Sequence, residues 1–308
     1  MKAFLIRRSL IAIPVIWGVI TLVFLILRLI PGDPVEIMLG EQASTVDREQ
    51  LRAELGLNKP FLTQYVDFFG DLAQGDVGTS ITLYPGQQVA TILWQRYPYT
   101  LELALISMVV AIVLAVPLGI LSALKPQTAL DQFSLTFSML GVSIPNFWLG
   151  PLLIILFCYK WSWFPMPSQG GWQSIILPAV TLGSGMASIL IRMTRTSYLD
   201  ILSEQFMRTA RAKGLSSCRL YLKHGLRNAL NPIITIIGLQ FGILLAGAVI
   251  TETVFGWPGV GYLVIEAIRA RDYPVVQGCI MIISFTYVIV NFFTDLLYTW
   301  ADPRIQFG

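Results

Sequence analysis

The chain has 308 residues, of which 55% are hydrophobic and only 13% are charged, and its net charge is +3. Its mean hydropathy is +0.68. A soluble domain carries roughly 25% charged residues, so the composition excludes an ordinary soluble protein and indicates a polytopic membrane protein. The small net charge gives no reason to expect nucleic acid as a partner.

Six segments of the sequence hold the roughly 20 mostly apolar residues that a membrane-spanning helix needs. They predict an all-α fold with six transmembrane helices and short amphipathic helices in the loops. The segments are Ser9–Ile30, Thr100–Leu124, Phe133–Cys158, Ile175–Thr196, Pro232–Val254 and Cys279–Trp300. Basic residues precede the first segment, as in a signal peptide. Because the segment is too long and no small-residue cleavage site follows it, we interpret it as an uncleaved anchor.

The distribution of Lys and Arg predicts the orientation of the spans, because cytoplasmic loops are enriched in both residues. If both termini are cytoplasmic, the two short outer loops carry only Lys160, Arg269 and Arg271. The long first outer loop then has four basic and nine acidic residues, which suits an outer face. We therefore predict three parts: a first span at 1–30, an extracytoplasmic loop at 31–99, and a core of five spans at 100–308.

The extracytoplasmic loop contains the pattern of an amphipathic helix. Its apolar residues recur on one helical face, at Phe61, Tyr65, Phe68, Phe69 and Leu72. Such a helix lies on the bilayer or packs on the spans. Contact with a soluble substrate-delivery protein is the alternative.

Small residues recur at every fourth position in two spans. They are Ala111, Ala115, Gly119 and Ala123 in the second span, and Gly238, Gly242 and Ala246 in the fifth. Small residues allow helices to approach closely in lipid. The two faces therefore indicate packing within the bundle or, alternatively, a seam with another membrane subunit.

The third span contains Pro145 and a second proline six residues later. Proline removes an amide donor and kinks a helix, and freed backbone polar groups are tolerated in a membrane only against protein or a water-filled cavity. Ser143, Asn146 and Trp148 are therefore candidates for lining a translocation path. A kink that serves only packing is the alternative.

A basic, polar island at 192–231 separates the fourth and fifth spans. It holds eight of the chain's 21 Lys and Arg residues, against two acidic residues. Its pattern predicts a helix that ends at Gly214 and a second helix capped by Ser216 or Ser217. The apolar face of the first helix is formed by Ile201, Leu202, Gln205–Met207 and Ala210. The resulting knob either contacts a soluble partner or lies on anionic lipid.

Signatures of nucleotide and enzyme sites are missing from the sequence. It has no GxxxxGK[ST] motif and no GxSxG motif. His224 is the single histidine, which excludes HExxH and any His-rich metal site; we interpret it as an ordinary surface residue. Asp295 is the only aspartate inside a predicted span, and Cys158, Cys218 and Cys279 have no disulfide-framework spacing. We predict no catalytic, metal or cofactor site in this chain.

Several short motifs follow one another along the chain. They are Pro31-Gly32-Asp33-Pro34, then Arg208-Thr209-Ala210-Arg211-Ala212-Lys213-Gly214-Leu215 and His224-Gly225-Leu226-Arg227-Asn228-Ala229, then the runs 251–261 and 271–277 and the terminal Asp302-Pro303-Arg304. In this order they resemble the dipeptide, oligopeptide and nickel branch of ABC-importer permeases. The general importer signature begins Glu-Ala-Ala, where this chain has Arg208-Thr209-Ala210. That variant is similar to the one in the peptide branch.

The resemblance implies a type I ABC-importer-like permease in the bacterial cytoplasmic membrane, with Arg208–Leu215 as the loop that docks on an ATPase. It also implies a heterodimer with a second homologous permease, two cytoplasmic ATPase subunits that bind ATP and Mg, and an extracytoplasmic solute-binding protein. Dipeptides or short oligopeptides are the implied substrates, and glutathione-like peptides and nickel are alternatives within the family.

Two other classes of protein remain as alternatives. A self-sufficient channel or secondary transporter places ionisable residues in mid-span, whereas Arg28, Glu102, Glu252 and Asp295 lie near the ends of predicted spans. The other alternative is an intramembrane enzyme, and the sequence lacks the residues that such an enzyme needs.

Overall fold

The computed structural model describes residues 2–29, 35, 45–54, 58–165 and 171–301. The motifs at 31–34 and 302–304 lie outside these residues. The chain divides into two compact units. The first unit consists of Met1–Phe4, Thr100–Trp257 and Ile289–Gly308, and the second of Leu5–Tyr99 and Pro258–Val288. The predicted division at residues 30 and 99 stays a prediction.

The described residues are mainly helical. In chain order the helices are α1 (Lys2–Leu29), α2 (Thr45–Glu54), α3 (Phe61–Ala73), α4 (Val89–Leu124), α5 (Ala129–Ser143), α6 (Asn146–Leu153), α7 (Ile176–Ser203), α8 (Gln205–Ala212), α9 (Arg227–Phe255), α10 (Val260–Ala270) and α11 (Tyr273–Ala301). Two π-helical segments, Ile154–Lys160 and Arg219–Leu226, continue α6 and precede α9. A 3-10 turn at Trp172–Ile175 leads into α7.

Within the described part of the chain, four helices are long and apolar enough to cross a membrane. They are Val89–Leu124, Trp172–Ser203, Pro232–Phe255 and Tyr273–Thr294. A bent pair, Ala129–Ser143 with Asn146–Lys160, adds a fifth span if it is counted as one, and α1 has a shorter apolar stretch at Leu10–Leu25. All six predicted segments therefore coincide with helices, while the number of six spans stays a prediction.

The third predicted span is broken rather than merely kinked. Helices α5 and α6 meet at an angle of 106°. Ile144, between them, is extended (φ −89°, ψ 114°), because the residue before a proline is disfavoured in the α region. Pro145 then starts α6, and its carbonyl accepts hydrogen bonds from the amides of Trp148 and Leu149. The kink predicted at Pro145 is therefore present, and it is sharp enough to divide Phe133–Cys158 into two helices.

Helix α7 is the central helix of the first unit, and most of its apolar stretch is buried. Small residues let neighbouring helices approach it closely. A β-carbon on Gly183 would lie 2.6 Å from the carbonyl oxygen of Ser107, and one on Gly119 would lie 2.7 Å from Cβ of Thr194. Ala111 and Ala115 are fully buried. The small-residue face of α4 therefore packs within this chain, as the first of the two interpretations predicted.

In the second unit, α3 packs along α1. The Tyr65 and Thr21 hydroxyls are hydrogen-bonded at 2.7 Å. The fully buried ring of Phe24 contacts the rings of Phe61, Tyr65 and Phe68 with centroids 5.2–5.5 Å apart. The amphipathic helix predicted in the long loop therefore exists and places its aromatic face against α1.

The second unit also contains a loop held by one buried carboxylate. Asp272 Oδ2 accepts hydrogen bonds from the Ser80 hydroxyl at 2.5 Å and from the amides of Ile81, Thr82 and Leu83 at 3.1, 3.0 and 2.9 Å. Asp272 is fully buried. Three successive amides aimed at one anion form a backbone nest, so this side chain determines the course of the loop that precedes α4.

Candidate functional site

The basic island folds into a compact knob formed by Gln205–Leu226. Its inner side is a small apolar cluster of Met207, Ala210 and Leu220, which are 2%, 9% and 2% exposed. Leu215 and Tyr221 pack against this cluster, as do Ile201 and Leu202 at the end of α7. Apolar contacts between α8 and the π-helical segment therefore hold the knob together.

Gly214 forms the turn of the knob, as predicted. Its φ is +75°, a left-handed conformation that glycine adopts at no steric cost. The Gly214 amide donates to the Arg211 carbonyl at 3.0 Å, and the Leu215 amide donates to the Ala210 carbonyl at 3.4 Å. These two bonds and the packing of the half-buried Leu215 form a Schellman motif, which ends α8 and turns the chain back on itself.

One detail of the predicted knob was wrong. Ile201 and Leu202 belong to the end of α7 rather than to the first helix of the knob, because the extended residue Glu204 (φ −65°, ψ 147°) separates α7 from α8. The predicted second helix is present. It starts near Ser217 and continues through the π-helical segment into α9 without a break. The knob is therefore a direct extension of two spans.

A hydrogen bond and a close contact attach the knob to α7, and sequence reasoning identified neither. The fully buried Tyr198 donates its hydroxyl to the Tyr221 carbonyl at 2.7 Å. A β-carbon on Gly225 would lie 2.5 Å from the Tyr198 oxygen, so only glycine fits there. The glycine of the His224-Gly225 motif was the one available signal.

The outer side of the knob is exposed and basic. Arg208, Thr209, Arg211, Ala212, Lys213 and Gly214 of the predicted docking segment are exposed, whereas Ala210 is buried and Leu215 is half-buried. Phe206, 39% exposed, adds an aromatic ring to this surface, and no atom lies within 4 Å of the position of a β-carbon on Gly214. We call this exposed side, Phe206 to Gly214, the outer face of the knob.

The three predicted path residues flank the break between α5 and α6. Ser143 and Trp148 are exposed, Trp148 to 54%. Asn146 is half-buried, and its side-chain nitrogen lies 3.9 Å from the β-carbon position of Gly247 on α9. The structure therefore gathers these residues around one bend, but it does not place all three on a common lining.

Among the described residues, no group of three or more His, Cys, Asp or Glu side chains comes together closely enough to hold a metal ion. The three cysteines are free, with Cys158 and Cys279 buried and Cys218 exposed on the knob. Asn228 donates to the backbone carbonyl of the single histidine, His224, at 2.7 Å.

The chain matches the family of binding-protein-dependent transport system inner membrane components over residues 115–307. The N-terminal model of the same family matches residues 1–104. Since the first match covers more than half of the chain, the chain belongs to this family. It is a multi-pass inner-membrane permease subunit, and a translocating component rather than an enzyme. Membership implies partner ATPases and a binding protein.

Individual relatives are similar to this chain over its whole length. A di/tripeptide transport system permease protein of Pseudomonas aeruginosa is 42% identical and is aligned over 99% of both chains. A glutathione transport system permease protein of Escherichia coli is 40% identical over 100% of both chains. The match at this identity covers the knob, the broken span and the long loop between α1 and α4.

Solved structures agree on the fold. The MetNI methionine ABC transporter in an inward-facing conformation has a TM-score of 0.56 and 17% identity, covering 68% of this chain and 96% of that chain. An amino acid ABC transporter has a TM-score of 0.54 and 12% identity. The helical core is therefore of the kind found in ABC-importer permeases.

Proposed function

We propose that this chain is the translocating subunit of an ABC importer for dipeptides or short oligopeptides. In this proposal it pairs with a second homologous permease, and two ATPase subunits that bind ATP and Mg supply the energy. An extracytoplasmic solute-binding protein delivers the cargo. The full-length similarity to a di/tripeptide permease carries the proposal, and the exposed, basic knob supports it.

The outer face of the knob is proposed as the ATPase docking surface. Arg208, Arg211 and Lys213 add positive charge to an exposed ledge, and Phe206 adds an aromatic ring of the kind enriched at protein interfaces. The inner cluster and Tyr198 hold the ledge rigidly on α7 and α9. A partner that moves this ledge therefore also moves two spans. Contact with anionic lipid alone would not require such a rigid attachment.

The path residues Ser143, Asn146 and Trp148 are proposed to line the route of the substrate. Their support is the break of 106° between α5 and α6, which exposes backbone groups that only protein or a water-filled cavity tolerates in a membrane. Replacing each in turn with cysteine and measuring protection from a small thiol reagent by a transported peptide tests this assignment. Reaction rates unaffected by peptide would contradict it.

The proposed orientation places the termini and the knob in the cytoplasm. The native Cys218 is exposed on the knob, whereas Cys158 and Cys279 are buried, so an impermeant thiol reagent added to intact cells should leave the wild-type chain unlabelled. A Thr63→Cys substitution on the exposed side of α3, in a Cys218→Ser background, should label from outside. Labelling of Cys218 from outside, with Thr63→Cys protected, would reverse the model.

The test of function is uptake by the complete importer reconstituted in proteoliposomes. With its partner permease, its ATPases and its binding protein, the chain should take up a labelled dipeptide when ATP is present and no proton gradient exists. Uptake that follows the proton gradient would favour a secondary transporter. A lone active chain that needs no ATPase would refute the proposal.

Glutathione is the second candidate substrate, because a glutathione permease is aligned over the whole chain at nearly the same identity. Competition distinguishes the two. An excess of unlabelled di- and tripeptides should abolish uptake of the labelled dipeptide, and glutathione should compete weakly. The reverse order of competition would assign the chain to glutathione transport. Nickel uptake, the remaining alternative, can be measured in the same vesicles with the radioactive ion.

A further inference from the structure

A buried ion pair connects three helices of the first unit close to the knob. Arg195 on α7 contacts Asp131 on α5 with both prongs of its guanidinium: Nε lies 2.7 Å from Oδ1, and Nη2 lies 2.9 Å from Oδ2. The Asp131 side chain is 3% exposed and that of Arg195 is 21% exposed. Arg195 therefore differs from the exposed basic residues of the island, with which the sequence had grouped it.

The Asp131 carboxylate also holds the end of α4. The Ser122 hydroxyl donates to Oδ1 and accepts a hydrogen bond from Arg195 Nε at 3.1 Å. The amide of Gln127, a left-handed residue with φ +62°, donates to Oδ2 at 2.8 Å. We call Ser122, Asp131 and Arg195 the clasp. It joins the end of α4, the α4–α5 turn and α7.

The position of the clasp along α7 relates it to the knob. Tyr198, which holds the knob, follows Arg195 by three residues and so lies about one turn further along the same helix. Helix α7 then ends at Ser203, and α8 begins at Gln205. At 1.5 Å per residue, the clasp and the start of α8 are about 15 Å apart along the chain. The last turns of α7 therefore connect the knob to α5, and α5 ends at the break that precedes α6.

An ion pair suits a connection that has to be made and broken. A buried pair gives little net stability compared with apolar residues of the same size, but its geometry is specific. The planar guanidinium matches a carboxylate in one orientation only. The clasp therefore specifies a particular placement of α7 against the α4–α5 turn, while leaving both helices intact when it opens.

We propose that the clasp is the positioning element that transmits movement of the knob to the broken α5–α6 span. Ser122, Asp131 and Arg195 touch neither cargo nor nucleotide in this proposal; they act by placing α5. The inference rests on the proposed function, because it assumes that an ATPase moves the knob. It predicts that loss of the clasp uncouples ATP hydrolysis from transport without preventing assembly.

The experiment uses the complete importer in proteoliposomes and measures peptide taken up per ATP hydrolysed. In Asp131→Asn and in Arg195→Gln, co-purification of the ATPases and basal hydrolysis should remain, and uptake per ATP should fall about tenfold, a typical size for coupling between two sites. The double variant Asp131→Asn with Arg195→Gln should lose no more than either single variant, because each single change already breaks the pair. A matched control is Asp67→Asn, which removes the exposed 2.6 Å ion pair with Lys59 and should leave the ratio unchanged.

Two outcomes would overturn the inference. One is wild-type uptake per ATP in both single variants. The other is a double variant in which the two single losses multiply, which would show that the residues do not act as a pair. If Asp131→Asn fails to insert in the membrane, Arg195→Lys provides the test, because it keeps the positive charge but loses the two-pronged contact. Wild-type uptake per ATP in Arg195→Lys would refute the proposed role of the clasp. A wild-type importer without ATP-driven uptake contradicts the proposed function instead.

Discussion

Asp131 and Asp272 are both buried aspartates, but the two units of the molecule satisfy them differently. Asp131 is held by an arginine and a serine from two other helices and by one amide. Asp272 is held by a serine hydroxyl and three successive backbone amides. A side chain can leave an acceptor by changing rotamer, whereas three amides can leave only if the loop itself unfolds. The difference separates a contact that can open from one that is permanent.

The surroundings of the two carboxylates fit this distinction. Asp272 follows Arg271, which has a left-handed φ of +56° and ends α10. In the first turn of α11, the Val276 amide donates a hydrogen bond to the Asp272 backbone carbonyl, and the Val275 amide donates one to the Asp272 side chain. It therefore joins two helices and a loop in one fixed corner. Asp131 joins the turn before α5 to α7, and α7 leads on to the knob. The contacts of Asp272 therefore fix the shape of the second unit, whereas the contacts of Asp131 connect helices that move in the proposed mechanism.

The largest effect expected is that of Asp272→Ala. It leaves the buried Ser80 hydroxyl and the amides of Ile81, Thr82 and Leu83 without their acceptor, at a cost on the order of 3 kcal/mol in the free energy of unfolding. Thermal unfolding of the purified chain in detergent, together with its abundance in the membrane, measures this cost. Asp272→Asn keeps one acceptor oxygen, so its stability should lie between that of Asp272→Ala and that of the wild type. Equal stability of all three would show that the nest is dispensable.

Gly225→Ala should have the next largest effect. The added methyl group would overlap the Tyr198 hydroxyl and separate it from the Tyr221 carbonyl, with an overpacking cost of about 1–3 kcal/mol. We expect loosening of the knob, seen as faster proteolysis within 205–226 and less co-purified ATPase. Gly225→Ala combined with Tyr198→Phe removes the clashing oxygen and should recover part of the loss. If the double variant recovers nothing, the Tyr198 hydroxyl is not the group with which the added methyl clashes.

Gly214→Ala tests the turn without a clash, because no atom lies within 4 Å of the added β-carbon. Only the left-handed backbone is penalised, by about 1 kcal/mol, so the isolated chain should remain inserted and nearly as stable. Gly214→Val places more volume on the outer face of the knob. If that face docks on an ATPase, Gly214→Val should lower co-purified ATPase and binding-protein-stimulated hydrolysis well beyond Gly214→Ala. Equal docking by both variants would favour contact with lipid alone.

The smallest expected effect is a change in the hydrogen-exchange rate of single amides, without a change in fold. The amides of Ile81, Thr82 and Leu83 should exchange slowly both with and without ATP, because they open only with the corner around Asp272. The amide of Gln127 should exchange faster when ATP is added to the complete importer, because the clasp then opens. Peptide-resolved mass spectrometry measures both segments in one experiment. Faster exchange at 81–83 on ATP addition would remove the distinction between the two carboxylates.

Hydropathy and turn chemistry predicted much of the fold. Apolar length located five predicted spans on single helices and the third on a pair of helices, and a glycine between two amphipathic stretches located the turn at Gly214. The break between α5 and α6 was underestimated, because Pro145 predicts a kink but packing against α7 and α9 determines its angle. The π-helical path from the knob into α9 has no sequence signal comparable to a proline or a glycine.

The clasp and the Asp272 corner could not be predicted, because both depend on partners distant in sequence. Arg195 and Asp131 are 64 residues apart, and Ser80 and Asp272 are 192 residues apart. In the sequence, Arg195 has the same type and neighbourhood as the exposed arginines of the island. The one local sign was the position of Asp131 three residues after Thr128, where a carboxylate commonly caps the start of a helix.

The π-helical segment Arg219–Leu226 restricts the length of the chain as well as its composition. A π turn holds about one residue more than an α turn, and one residue corresponds to about 100° of rotation around the axis. This extra residue lets Leu220 face Met207 while Ala229 and Ile233 on α9 stay buried in the bundle. Deleting one residue between Leu220 and Arg227 would rewind the segment to α-helix and turn Leu220 out of its cluster. Natural variation here should therefore consist of substitutions, with gaps confined to the loops.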